Sequence, residues 1–413
     1  MQINGNNLIF RTKKNTYTKL ILMKISKKYF PKNLSLLCFF KGPISFLSSF
    51  IFFIAFSLPL SGQDNNNGSI FDRWDKNGDN KLQPSELPPK ARPNFNKADS
   101  NSDGFISREE DHAFRKKLKN KSKPTTNTQS DEVDLKQNIF YANNDNLRQT
   151  LDLLIPKKRK KEKLPIIVYI HGGAWKSGNK NQGIIHLSPF VESGHYVGAT
   201  TGYRLSSESK WPSQIHDCKA AIRWLKGNAE EYGIDIEKIG AFGHSAGGHL
   251  VSMLGTSSGV KTLEGSLGQY TKESSQIHCV INFFGPSALL EMSKFPSRID
   301  HDAAESPESQ LIGGALQKNK EKAKRASPTN YVSKDDVPFL HIHGTKDQLV
   351  PFNQSVILNQ KLLKTGCDST LITVQDGGHG GFKSDKIRTL SQKFFNKHLR
   401  GYQTKIQPLT IEE

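Results

Sequence analysis

The stretch Lys238-Ile239-Gly240-Ala241-Phe242-Gly243-His244-Ser245-Ala246-Gly247-Gly248-His249-Leu250 constrains this chain more than any other. The apolar run Ile239 to Phe242 reads as a buried strand, and Leu250-Val251-Ser252-Met253-Leu254 continues as a helix. Between them Gly243-His244-Ser245-Ala246-Gly247 has the G-x-S-x-G pattern of a sharp strand-to-helix elbow. Such a turn strains the backbone at Ser245 and pushes its hydroxyl out from the strand's end. Neighbouring main chain then crowds the positions two before and two after, where Gly243 and Gly247 carry no Cβ. Gly248 lets the helix approach the sheet.

The pattern is weak without its context. The chain holds 33 glycines and contains a second match, Gly255-Thr256-Ser257-Ser258-Gly259. That copy follows a helix with no strand before it and reads as a flexible loop. Only the first has strand, turn and helix in order.

From Val133 onward, strand and helix patterns alternate, the signature of an α/β domain with a mostly parallel sheet. Leu151 to Ile155 and Ile166 to Ile170 read as strands, the second almost wholly apolar, as strands buried on both faces are. It ends at His171-Gly172-Gly173-Ala174-Trp175, where a Gly-rich loop brings bare N–H groups to the site. Acyl transfer through a tetrahedral oxyanion needs such preorganised donors. Gly173 and Ala174, with Ala246 after the serine, are the expected oxyanion donors.

Ser245 requires a base, and the base an orienting acid, in the chain order serine, acid, histidine for this arrangement. Val337 to His343 reads as a strand followed by Gly344-Thr345-Lys346-Asp347, so Asp347 lies in a loop at a strand's carboxyl end. A last strand, Leu371 to Val374, leads into Gln375-Asp376-Gly377-Gly378-His379-Gly380-Gly381, a loop able to carry an imidazole over Ser245. His343 reads as sheet-end packing, His244 and His249 flank the serine too closely to serve as base, and Asp376 is too near His379 to orient it. The catalytic candidates are therefore Ser245, Asp347 and His379.

Upstream lie two copies of a twelve-residue loop, Asp75 to Glu86 and Asp99 to Glu110, starting 24 residues apart. Oxygen ligands at positions 1, 3 and 5, a carbonyl at 7 and a glutamate at 12 make an EF-hand calcium site. The expected ligands are Asp75, Asn77, Asp79, the Lys81 carbonyl and Glu86 in the first loop. In the second they are Asp99, Asn101, Asp103, the Phe105 carbonyl and Glu110. Leu82 and Ile106 fall at position 8, where paired loops meet. Asn80 stands where glycine is usual, and asparagine tolerates the left-handed conformation needed there. The compact pair resembles EF-hand modules of exported bacterial proteins, which implies a structural role for calcium.

The formal charge of +19 raises the question of a polyanion partner. Nine lysines and arginines fall in residues 1–62, which hold no Asp or Glu, and the remainder carries 49 cations against 39 anions. The rest is concentrated in Lys157 to Lys163 and Lys318 to Arg325, polar stretches without interleaved aromatics that read as solvated loops. No nucleic-acid partner is expected. Ile44 to Leu60, apolar and preceded by basic residues, reads as an export signal, with Met23 an alternative start. Left uncleaved, it would anchor the chain to a membrane. Of four cysteines, Cys38 lies in this segment; Cys279 reads as core, and only Cys218 and Cys367 could pair.

These signals divide the chain into an export segment at 1–62, a calcium-binding pair at 63–113, a linker at 114–132, a catalytic domain at 133–403 and a tail at 404–413. The catalytic part resembles esterases and lipases of the α/β-hydrolase superfamily, of the bifunctional feruloyl and acetyl xylan esterase type. The likeness rests on His171-Gly172-Gly173-Ala174-Trp175, Tyr203-Arg204-Leu205, Trp211-Pro212 with His216-Asp217, the Ser245 elbow, and His343-Gly344-Thr345-Lys346-Asp347. It implies an α/β-hydrolase fold preceded by a small all-α EF-hand pair, and an exported serine carboxylesterase acting on acyl esters of carbohydrates without a catalytic cofactor. An amide-cleaving formamidase or peptidase of the same fold stays open. So does a non-catalytic, calcium-dependent binding protein. Residues 286–330 are expected to cover the site and shape the acyl pocket, and Tyr203, Arg204 and Asp217 to be structural.

Overall fold

The computed structural model describes residues 70–88, 91–114 and 131–413, together with the backbone of three short antiparallel strands, Ile3–Asn4, Asn7–Ile9 and Leu22–Lys24. The stretch Ile44 to Leu60, expected to be an export signal, and most of the expected linker fall outside the described residues. Among those described, no helix is long and apolar enough to cross a membrane. The chain divides into two compact units between Asp79 and Asn80.

In the first unit the helix Ile70–Trp74 leads into the loop of Asp75, Asn77 and Asp79. The second contains the rest of the loop region and the large α/β domain. Its nine strands are β1 (Val133–Phe140), β2 (Thr150–Pro156), β3 (Leu164–Ile170), β4 (Val197–Thr201), β5 (Ile234–His244), β6 (Cys279–Phe283), β7 (Phe339–Gly344), β8 (Ser369–Gln375) and β9 (Leu409–Glu412). They lie in the order β9-β8-β7-β6-β5-β3-β4-β2-β1. All pairings are parallel except those of β2 with β1 and β4.

Helices cover both faces. On one lie α2 (Ser213–Gly227), α3 (Ala246–Thr256) and α5 (Asn353–Lys364); on the other α1 (Gln182–Val191) and α6 (Asp385–Arg400), with the short α4 (Lys320–Arg325) in the segment before β7. Alternation along β3 shows why its sequence is apolar throughout. Ile166, Val168 and Ile170 enter the core with Leu250 and Leu254 of α3, whereas Ile167 and Tyr169 enter the core with Phe190 of α1 and Phe395 of α6. Burial on both faces leaves no position for a polar side chain.

One boundary needs correction. Residues 404–413 are not a free tail, because Leu409–Glu412 pairs in parallel with β8 and Val374 faces Ile411. Ile411 is 2% exposed, and burying such a side chain stabilises by roughly 1.5–3 kcal/mol. The Glu413 carboxylate then accepts hydrogen bonds from the N–H groups of Lys383 and Ser384, just before α6. Cys218, Cys279 and Cys367 are all buried free thiols, so no disulfide joins Cys218 to Cys367.

Candidate active site

Parallel register brings the carboxyl ends of the central strands to one edge. Gly243 of β5 faces Ile170 of β3, His244 faces Phe283 of β6, and Gly344 of β7 faces Val374 of β8. The loops carrying Gly173, Ser245, Asp347 and His379 leave from these ends, where open α/β sheets form their sites.

At the elbow Ser245 has φ 56 and ψ −119, a conformation few residues with a Cβ adopt. The close approach expected around it is present. A Cβ on Gly243 would stand 2.5 Å from the Gly247 carbonyl, and one on Gly247 would stand 2.0 Å from the Ile170 carbonyl. Ser245 donates its N–H to the Phe283 carbonyl at 2.9 Å, tying the turn to β6. The second G-x-S-x-G copy is different: Ser257 is buried at the end of α3 and donates its hydroxyl back to the Met253 carbonyl.

His379 Nδ1 lies 2.6 Å from Asp347 Oδ2. An imidazole that donates from Nδ1 to a carboxylate keeps a lone pair on Nε2, the state a general base needs. The second oxygen of Asp347 accepts the N–H groups of Leu349 at 2.8 Å and Val350 at 2.9 Å. Burial alone would raise this carboxyl's pKa, but hydrogen bonds from His343 and His379 and the charges those rings can carry outweigh it. The group is held well below the usual carboxylate range. Phe284 packs on the His379 ring with centroids 4.7 Å apart. Among the described residues no hydrogen bond joins Ser245 Oγ to His379, a contact that often closes only with substrate bound.

The loop after β3 turns through three consecutive positive φ values, 113 at Gly173, 55 at Ala174 and 54 at Trp175. A Cβ on Gly172 would stand 2.7 Å from the His244 carbonyl and 3.5 Å from the Ser245 Cβ, so this loop passes directly beside the serine. Ala246 opens α3, whose first-turn N–H groups and dipole point at the same space.

Two features of this region were not legible in the spacing. His343 packs at the sheet end as expected, yet its Nε2 also stands 3.1 Å from Asp347 Oδ2 and 3.0 Å from the Val350 carbonyl, and its Nδ1 2.8 Å from Ser355 Oγ. Two acceptors at Nε2 put the proton there, so His343 is a second donor to the acid. Likewise, the buried Trp175 indole N–H donates to His249 Nδ1 at 3.2 Å, and His249 Nε2 donates to the Ala326 carbonyl at 2.7 Å. Burial lowers the His249 pKa to about 4, and its bond to Ala326 only partly opposes this. A neutral imidazole therefore ties the loop after β3, through α3, to the segment before β7.

Arg204 grips the fully buried Asp217 through Nε and Nη2, the latter at 2.7 Å, and Tyr203 donates its hydroxyl to the His171 carbonyl at 3.0 Å. The Arg204 bonds hold the loop after β4 against α2, and the Tyr203 bond ties the same loop to the residue that follows β3. His244 stacks on Phe283 at 4.5 Å, and enclosure among rings, then the charges of His186 and His379, lowers its pKa to about 3. Asp376 sits exposed and pairs with Lys346 at 3.1 Å, away from the acid's role. A cavity of about 420 Å³ opens beside the His379 loop, lined by Phe190, His244, Phe283, Phe284 and Phe382, with Arg388 among its polar residues. None of residues 286–330 lines it; they pack instead over α3 and Trp211, where Trp211 donates its N–H to the Leu311 carbonyl at 2.9 Å.

The two twelve-residue loops divide between the compact units. Asp75, Asn77 and Asp79 lie in the first unit, where Gly78 donates to Asp75 Oδ1 at 2.8 Å and Asp79 to Asn77 Oδ1 at 3.0 Å. Lys81 and Glu86 lie in the second. There Leu82 pairs antiparallel with Ile106 and both are buried, the contact expected of position 8. Asn80 has φ 61, the left-handed value expected of it. In the second loop Asp99 accepts from Gly104 at 3.0 Å, Asp103 accepts from Phe105 at 2.9 Å, and Gly104 has φ 85. The Glu110 pKa is lowered to about 2, chiefly by the Ser107 N–H, against burial, with Ser100 and the Asn101 N–H adding to the effect. Among the described residues no three His, Cys, Asp or Glu side chains by themselves converge on a metal-sized site. The donor chemistry, carboxylates supplemented by Asn101 and a carbonyl around a left-handed glycine, still fits an oxygen-seeking cation.

Comparison with known proteins agrees with this fold. A family model described as BD-FAE matches residues 151–362, half of the chain, and one described as EF hand matches residues 95–110. Esterase LipC of Mycobacterium tuberculosis is 27% identical over 256 residues, covering 62% of this chain and 62% of LipC, so the chain spans under two thirds of that relative. Among solved structures, a truncated form of a carbohydrate esterase from gut microbiota superposes with a TM-score of 0.61 at 34% identity, covering 65% of this chain and 97% of that one. A bifunctional GH43-CE protein of Bacteroides eggerthii gives 0.60 at 32% identity, covering 64% of this chain and 38% of that one.

Proposed function

The chain belongs to the BD-FAE family of α/β-hydrolase esterases, and on that premise we propose that it is an exported serine carboxylesterase that removes acyl groups, acetyl or feruloyl, from carbohydrates. One observation carries the mechanism: the 2.6 Å bond from His379 Nδ1 to Asp347 Oδ2, at the strand edge where Ser245 follows β5. Ser245 Oγ attacks the acyl carbon while His379 Nε2 takes its proton. The N–H groups of Gly173, Ala174 and Ala246 receive the developing oxyanion. His379 then gives that proton to the departing sugar oxygen as the C–O bond breaks, and a water activated by the same nitrogen attacks the acyl-serine, releasing the acid and freeing Ser245. Asp347 keeps the tautomer and faces the imidazolium that forms.

The aromatic lining of the 420 Å³ cavity beside His379 suits a flat acyl group, and the likeness to carbohydrate esterases supports a glycan as the alcohol side. Calcium held by the second loop, through Asp99, Asn101, Asp103, the Phe105 carbonyl and Glu110, would serve a structural end. Residues 1–62 supply the export signal in this reading.

The test is hydrolysis of p-nitrophenyl acetate by the purified chain beside Ser245→Ala. Loss of roughly 10³-fold or more in kcat is expected of the variant, and equal rates would remove Ser245 from the mechanism. Acetylated xylan, methyl ferulate and N-formylkynurenine then separate carbohydrate, aromatic and amide substrates.

A further inference from the structure

A second cavity, of about 280 Å³, lies apart from the aromatic one, on the α3 side of the sheet. Its walls come from the approach to α2 (Lys210 and Trp211), the segment after α3 (Leu263), the end of the short helix Pro307–Ile312, and α4 (Lys322 and Arg325). No carboxylate lines it, and three cations do. Lys210 Nζ donates to the Ser206 carbonyl at 2.7 Å. Lys322 and Arg325 are exposed and form no ion pair among the described residues, although neighbouring Lys324 is taken by Glu321 at 2.7 Å. The rim is held rather than loose. Trp211 Nε1 donates to the Arg325 carbonyl at 3.1 Å, and the Tyr331 hydroxyl donates to the same oxygen at 2.9 Å.

The cavity is also joined to the candidate active site. The half-buried Trp211 meets His249 with ring centroids 5.5 Å apart, and His249 meets Trp175 of the oxyanion loop at 5.0 Å. Two ring contacts thus separate the cavity wall from the loop beside Ser245.

A partly exposed indole offers a surface for the apolar face of a sugar ring, and cations around a concavity without acids favour an anion. A neutral sugar would leave Lys322 and Arg325 with nothing to answer. We infer that this cavity is a subsite for a negatively charged sugar unit of the glycan, carrying a carboxylate or a sulfate ester, held on Trp211 by Lys210, Lys322 and Arg325. The assignment rests on the carbohydrate-esterase reading and adds the charge of the preferred polymer. It gives a use to the basic run ending at Arg325, which reads as plain solvated surface from sequence.

The test is calorimetric binding to the full chain carrying Ser245→Ala, with and without the double change Lys322→Ala and Arg325→Ala. The probes are a neutral xylo-oligosaccharide, the same oligosaccharide bearing glucuronic acid, and a sulfated oligosaccharide. An acidic probe is expected to bind roughly tenfold more tightly than the neutral one. That advantage should shrink between about 50 and about 500 mM NaCl and vanish in the double variant. Whichever acidic probe shows it identifies carboxylate or sulfate. Equal affinity for neutral and acidic probes, no binding of any probe, or a preference that survives the double change would overturn the subsite. With Ser245 intact, the double variant should hydrolyse p-nitrophenyl acetate like the parent. Failure of the parent in that assay would strike the esterase reading and leave the binding result standing.

Discussion

His343 Nε2 stands 3.1 Å from Asp347 Oδ2, the same oxygen that holds His379 Nδ1 at 2.6 Å. The acid therefore has four donors: these two rings on one oxygen, Leu349 and Val350 on the other. A carboxylate so placed has a single orientation and stays ionised.

Replacing His343 should act through Asp347. His343→Phe removes a donor and leaves Ser355 Oγ and the Val350 carbonyl without their partner, so kcat on p-nitrophenyl acetate should fall roughly tenfold with KM within about twofold. His343→Gln keeps an N–H and should recover part of the loss. A kcat unchanged in both variants would show that the second imidazole only packs.

Gly247→Ala should be among the most damaging single methyl additions. Its Cβ would meet the Ile170 carbonyl at 2.0 Å, and backbone oxygen cannot swing aside as a side chain can. A loss of roughly 3 kcal/mol or more is expected in urea unfolding, together with loss of turnover. A variant of parental stability would mean that the elbow is looser than its contacts indicate.

Acid should unfold the chain early. His171 and His249 have pKa values lowered to about 4 and His341 to about 3, each chiefly by burial. All three are fully buried. A histidine lowered in the folded state is neutral there while its unfolded form, near 6.5, takes a proton, so stability present above about pH 6.5 is lost as pH falls towards 4. Each contributes up to about 1.4 kcal/mol per pH unit in that window. Denaturant midpoints measured at pH 7.5, 6 and 5 should fall monotonically; a flat profile would contradict this.

Calcium should bind through the second loop if its oxygen set is used. Glu110→Gln removes the charge of the twelfth-position ligand and should weaken calcium binding by roughly tenfold or more in titration of the full chain, with esterase rates unchanged. Equal affinity in parent and variant would exclude Glu110 as a ligand.

Much of the architecture could be read directly. An all-apolar β3 requires cover on both faces, and Gly243 and Gly247 around a serine require close backbone contact, so local residue types carry those conclusions. The loops of Gly173, Ser245, Asp347 and His379 could be ordered along the chain because parallel strands all end at one edge. The Leu82–Ile106 pairing follows from fixed loop spacing in the same way.

What the chain's order could not supply was proximity without a local signal. Leu409–Glu412 has no feature that distinguishes a strand from a tail until β8 presents an open edge for it. His343 and Asp347 are four apart, a spacing that implies nothing across a strand end and its turn; only the bend of that loop brings ring to carboxylate. Trp175, His249 and Trp211 are separated by tens of residues and meet because α2, α3 and the segment before β7 pack on one side of the sheet. Short-range patterns are set by backbone geometry and can be read from sequence, whereas these contacts are set by how covered faces pack and exist only in the folded molecule.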